Sequence, residues 1–186
     1  MTVLIVLLGI VLLLAFFVVG IFNRFAKNRN LVKDAWSNID VALKRRYDLI
    51  PNLVETVKGY AKHEKSTLEE VIKARNSAMQ VPSDDINGKI KAENQLQQSL
   101  RSIFALGEAY PDLKANTNFL DLQEKLNLIE ENLERSRRYY NGSVRENNTY
   151  GESIPGALFA SMFKYQHFDF FEAEEIARSN VKVDFS

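Results

Sequence analysis

LVKDAWSNIDVALKRRYDLIPNLVETVKGYAKHEKSTLEEVIKARNSAM, residues 31–79, decides the fold class. Trp36, Ile39, Leu43, Tyr47, Ile50, Val54, Val57, Ala61, Glu64, Leu68, Val71, Arg75 and Ala78 recur at steps of three and four. That spacing marks one face of a helix and reads as the seam of a bundle; a strand would alternate every second residue. Glu64 and Arg75 interrupt the apolar character of the seam. Lys58, Lys62 and Lys65 lie near Glu55, Glu64 and Glu69, a mixed-charge pattern typical of a solvated face.

Pro51 is the local anomaly in this stretch. Its ring removes one amide donor and deprives the Tyr47 carbonyl of its usual helical partner. It also disfavours helical geometry at Ile50. A kinked helix is expected here, with Asn52 or water serving the freed carbonyl, because the seam resumes at Val54 and Val57. The alternative is a break between two helices.

Upstream, VLIVLLGIVLLLAFFVVGIF (residues 3–22) carries no charge. As a helix it spans about 30 Å, the hydrocarbon thickness of a bilayer. Only Met1 and Thr2 precede it and no A-x-A site follows, so a retained anchor is expected rather than a cleaved signal peptide. Arg24, Lys27, Arg29 and Lys33 flank the segment on its carboxyl side alone. The positive-inside rule then places a short amino terminus outside and the following domain in the cytoplasm. Arg24 and Lys27 are positioned to snorkel towards anionic headgroups.

Downstream, Pro82, Ser83, Asp84 and Asp85 stop one helix and cap another. The second helix is expected from about Asp85 to Glu108, with Ile90, Leu96, Leu100, Ile103 and Phe104 on its apolar stripe. A third is expected from about Ala115 to Val144, with Phe119, Leu122, Leu126, Ile129, Leu133, Ser136 and Tyr140. The short links favour antiparallel neighbours. Asn141, Gly142, Asn147, Asn148, Gly151 and Pro155 then suggest fraying and a loop. A short apolar segment (157–163) follows, then a short acidic helix capped by Asp169, and an extended-prone end, VKVDF.

The fold class is therefore all-α: an N-terminal transmembrane helix, then a long antiparallel bundle with three main helices and short C-terminal helices. The expected division is an anchor over 1–23, a basic juxtamembrane segment over 24–30, the bundle over 31–177 and a tail over 178–186. Lys plus Arg equals Asp plus Glu, at 24 each, which argues against a dedicated nucleic-acid binder. The absence of cysteine excludes disulfides and thiolate chemistry.

Chemistry is sparse. No Glu-x-x-His pair of a di-metal bundle occurs, and His63 and His167 have no ligand spacing. There is no G-x-S-x-G elbow, phosphate-binding P-loop or dinucleotide fingerprint. Glu69 and Glu70, or Glu172, Glu174 and Glu175, read as surface charges. Tyr139 and Tyr140 beside Arg137 and Arg138 lack the continuous positive groove of a nucleic-acid site. No catalytic, cofactor-binding or metal-ligating residue is assigned, and no cofactor is expected.

Four ordered stretches carry a family resemblance. They are RRYDLIPNLVETVKGYAKHEKSTLEEVIKAR within Trp36–Arg75, YPDLKANTNFLDLQEKL from Tyr110, ERSRRYYNGSVRENNTY from Glu134, and FFEAEEIARSNVKVDF from Phe170. From the anchor almost to its end the chain resembles the bacterial LemA family. The resemblance implies an anchored, mostly antiparallel helical bundle with a short outside amino terminus, and it carries no catalytic residues. The chain departs from the family pattern at VRENN, where Asn147 takes an aromatic position, and the loop before Ile154 and Pro155 looks shortened.

The function expected is a membrane-anchored, non-enzymatic scaffold or adaptor in a bacterial cell membrane, contacting the bilayer and a membrane-associated protein. Arg46, Asp48 and Asn52 are the candidate partner-binding residues, and Pro51 the structural kink. Self-association is an open alternative. So are a small-molecule or carboxylate-metal binding module and a self-assembling membrane-remodelling protein.

Overall fold

The computed structural model describes residues 1–171 and is all-α. Its elements are α1 (Thr2–Tyr60), α2 (Lys65–Gln80), α3 (Ile86–Ala109), α4 (Pro111–Lys114), α5 (Thr117–Glu152) and α6 (Gly156–Phe159). The acidic helix and extended tail expected after Phe171 lie outside the described residues. Two compact units are formed, one of Met1–Ile39 with Ser136–Phe170, the other of Asp40–Arg135 with Phe171.

The membrane segment opens the first unit. Its apolar window has a mean hydropathy of 3.3 and is only 6% buried. A core helix of a soluble protein would hide those side chains; here they face outward, as lipid contact requires. The protein is membrane-associated, and among the described residues this is the one helix long and apolar enough to cross a bilayer. The basic stretch 24–30 is helical throughout, since neither glycine nor proline interrupts it. Arg24, Lys27, Arg29 and Lys33 are all exposed.

Beyond the membrane segment, α1 runs antiparallel to the last turns of α5. Trp36 meets Tyr140 with ring centroids 5.4 Å apart, and Phe25 meets Tyr150 at 4.9 Å. Helix α5 continues eight residues beyond Val144, through the stretch expected to fray. The physical reason lies in its asparagines. Asn147 and Asn148 are buried and spend their side chains on residues 166–168 instead of competing for their own backbone. Asn148 Nδ2 donates to the Phe168 carbonyl at 2.8 Å, and its Oδ1 accepts from the Phe168 amide at 3.2 Å. Asn147 Nδ2 donates to the Gln166 carbonyl at 2.9 Å. The departure from the family pattern at Asn147 is thus a backbone clamp.

In the second unit, the long helix expected over 31–79 ends at Tyr60, and α2 resumes at Lys65. The chain does not break at Pro51, which lies inside α1. Gly59 weakens the last turn of α1. The turn also lets Leu68, Val71, Ala74 and Ala78 fold back onto a core shared with Leu43, Ile50, Leu53 and Val57. Asp85 caps α3 by accepting from the Gly88 amide at 2.8 Å. Pro111 occupies the first turn of α4, where a missing amide costs nothing. Leu96, Leu100, Ile103, Leu113, Phe119, Leu126 and Leu133 complete the core.

Candidate functional site

Two features of the second unit stand out, a buried ionic layer and an open groove. The layer starts from sequence periodicity. On α3 the buried stripe is Lys89, Glu93, Leu96, Leu100, Ile103 and Gly107. Two charged residues therefore share the face that packs inward. On α1, Arg46 and Tyr47 follow Leu43 by three and four residues and lie on its buried face.

Arg46 Nη1 donates to Glu93 Oε2 at 3.3 Å, and Arg46 Nη2 lies 3.1 Å from Glu130 Oε2 on α5. The Tyr47 hydroxyl donates to Glu93 Oε1. Glu93 is 1% exposed. A lone carboxylate at that depth would be strongly disfavoured, so its charge is held by the guanidinium and the hydroxyl together. Lys89 Nζ donates to the Ala78 carbonyl at 3.1 Å. That carbonyl belongs to the last turn of α2 and has no helical partner, so Lys89 caps α2 from within the core.

Arg75 resolves the anomaly at Pro51. Its Nε donates to the Tyr47 carbonyl at 2.7 Å, the group that Pro51 leaves without an amide. Neither Asn52 nor a water is needed there. The two polar seam positions of the sequence thus have separate partners: Arg75 serves the backbone of α1, and Glu64 accepts from the hydroxyl of Tyr110, between α3 and α4, at 3.2 Å.

Burial first, then the neighbouring Glu93 charge, pushes the Tyr47 hydroxyl well above the ordinary phenol range. Burial also pushes Tyr140, in the first unit, up to about 12; its hydroxyl donates to the Asp169 carbonyl at 2.9 Å. The sign of the pH effect follows. Near neutrality Tyr47 is protonated in both folded and unfolded chains. Above about pH 10 the unfolded chain releases the proton while the folded one retains it. Stability from this group is therefore lost as pH rises, by about 1.4 kcal/mol per pH unit. Tyr47→Phe is expected to remove that slope. Urea unfolding at stepped alkaline pH measures it, and identical slopes in the two proteins would contradict the assignment.

The groove lies between the end of α1 and α2 and encloses about 990 Å³. Val54, Leu68 and Ile72 form its apolar lining, and Lys58, Lys62, Lys65 and Lys73 alternate with Glu55 and Glu69. The exposed pairs Lys58–Glu55, at 3.2 Å, and Lys65–Glu69, at 3.5 Å, lie within this set.

The three candidate partner-binding residues separate. Arg46 is buried in the ionic layer, whereas Asp48 and Asn52 are exposed. Sequence reading missed Glu93 and Lys89 altogether. Their signal was their position, three or four residues from one another and from Leu96 on the apolar stripe. His63 is exposed, and His167 lies 3.7 Å from Glu152. Among the described residues, no group of three or more His, Cys, Asp or Glu side chains is placed to hold a metal ion.

Comparison with known proteins agrees with the resemblance read from the sequence. A model of the LemA family matches residues 35–185. A relative described as Protein LemA, from Metamycoplasma hominis, is 24% identical over 166 residues, covering 89% of this chain and 75% of that protein.

Proposed function

The chain belongs to the LemA family, and from that premise we propose that it is a membrane-anchored scaffold or adaptor. It would act from the cytoplasmic face, as the one-sided basic flank favours. It recruits a membrane-associated protein partner to the bilayer. On this reading residues 1–23 anchor the chain, 24–30 form the basic juncture, and the bundle after residue 31 presents the binding surface.

The groove between α1 and α2 is the observation that carries the proposal. An apolar floor with a lysine-rich, mixed-charge rim suits one face of an amphipathic helix with acidic flanks. Asp48 and Asn52 offer a second polar contact surface, and Arg46 supports α1 from the interior. Burying the charges of Arg46 and Glu93 against each other makes that layer a structural element rather than a ligand pocket.

Site-specific photocrosslinking in cells tests the reading. Crosslinkers at Lys62 and Ile72 in the full chain are expected to yield a discrete adduct with another membrane protein. One at exposed Lys125 should not, and Leu68→Glu should abolish the groove adducts. Equal labelling at all three positions, or a product containing only two copies of this chain, would overturn the adaptor assignment. A crosslinker at Asn52 reports whether the second surface joins the same complex.

A further inference from the structure

We propose that residues 153–163 form a second membrane contact, lying in the interface of the leaflet from which the anchor emerges. The run SIPGALFASMF carries no charge and is bounded by Glu152 and Lys164. Ile154, Leu158 and Met162 recur every four residues and are 78%, 70% and 60% exposed. Three large apolar side chains in such a repeat need an apolar environment or a partner.

Helix register identifies that environment. Between the contacts Trp36–Tyr140 and Phe25–Tyr150, eleven residues of α1 run against ten of α5. At equal rise per residue, the end of α5 at Glu152 is level with about Asn23, where the uncharged anchor finishes. The chain then turns back, and Phe163 meets Phe22, the last residue of the uncharged anchor run, with ring centroids 5.3 Å apart. Gly156 packs at the level of Tyr150 and Phe25, and Phe163 at that of Phe22, so the run lies beside the end of the uncharged anchor. The apolar surface of the run continues the lipid-facing surface of the anchor.

Packing and polarity fit this depth. Phe25 meets Phe163 and Tyr165, each at 6.0 Å, and a side chain on Gly156 would collide with the Tyr150 carbonyl. The segment is thus docked closely on α1. Its turns close their own backbone bonds, with the Ala157 amide donating to the Ser153 carbonyl at 2.8 Å and Phe163 to Phe159 at 3.0 Å. This lowers the cost of leaving water. Arg29 and Lys164 line one small pocket with Phe22 and Phe25, giving cations at headgroup level behind the apolar tip. A segment of this kind sits about 5–10 Å into the headgroup and acyl boundary.

The chain has no cysteine, so single labels are direct. Nitroxides would be placed at Ile154→Cys, Leu158→Cys and Met162→Cys in the full-length protein, reconstituted in phosphatidylcholine–phosphatidylglycerol vesicles. Leu14→Cys serves as the lipid control and Asp34→Cys as the aqueous one. Collisions with oxygen are expected to exceed those with a water-soluble nickel chelate several-fold at all three positions, as at Leu14. Nickel-dominated collisions, as at Asp34, would place the segment in water. Low collision with both reagents would show a protein covering it. Either result overturns the proposal. All three positions are exposed, so labelling them leaves the packed residues intact.

Discussion

Replacing Glu93 by alanine is expected to cost the second unit about 3–5 kcal/mol, towards the lower end because Arg46 keeps Glu130. The loss arises on the partners left behind. Arg46 is 5% exposed and would retain a single carboxylate, itself a third exposed. The Tyr47 hydroxyl would lose its acceptor, which adds about 1–3 kcal/mol when no water replaces it. Urea unfolding of the full chain in mild detergent, followed by far-ultraviolet circular dichroism, reads the difference. The triple variant Arg46→Met, Tyr47→Phe, Glu93→Leu is expected to recover part of the stability, because apolar side chains of similar volume need no polar partner, while Glu130 loses its contact with Arg46. A Glu93→Ala variant within about 0.5 kcal/mol of the parent would show that the layer is hydrated and of little energetic consequence.

Arg75→Met is the second large effect. It is expected to cost about 1.5–3 kcal/mol, the range for a hydrogen bond to a charged group. The size depends on Pro51. With proline in place, the Tyr47 carbonyl has lost its amide partner, and Arg75 Nε is the donor that replaces it. Pro51→Ala returns an amide to that carbonyl. In that background Arg75→Met should cost clearly less, and the double-mutant cycle should give a coupling of about 1 kcal/mol or more. Strict additivity would mean that the Arg75 contact is incidental. Hydrogen exchange at the amides flanking Pro51 gives an independent reading, since loss of Arg75 should speed exchange there first.

These two predictions concern residues that the sequence singled out without explaining. Arg75 was legible as a polar interruption of an apolar seam, and Pro51 as a carbonyl without an amide. They are 24 positions apart, and nothing in periodicity joins them. The link appears only when α2 folds back along α1. The break at residues 61–64 that permits this was hidden because the three-and-four spacing runs through it. Periodicity reports which face is buried and is indifferent to whether the chain reverses between two turns.

Arg46 shows the opposite limit. Within a run of polar residues its chemistry suggested a surface, but the geometry of α1 turns it inward beside Tyr47 and leaves Asp48 and Asn52 outside. Whether a charged side chain is buried depends on its partner, and that partner, Glu93, lies 47 residues away on another helix.

The anchor, the all-α class, the ends of α3 and the family were determined by the sequence itself. They rest on local quantities: the length of an uncharged run, the spacing of apolar residues, a capping aspartate and ordered motifs. The tertiary structure decided the ionic layer, the rescue of the Tyr47 carbonyl, the Asn147–Asn148 clamp and the placement of residues 153–163 beside the anchor. Each of these is a pairing between groups far apart in the chain. Its energy depends on distance and burial, which exist only once the helices have packed.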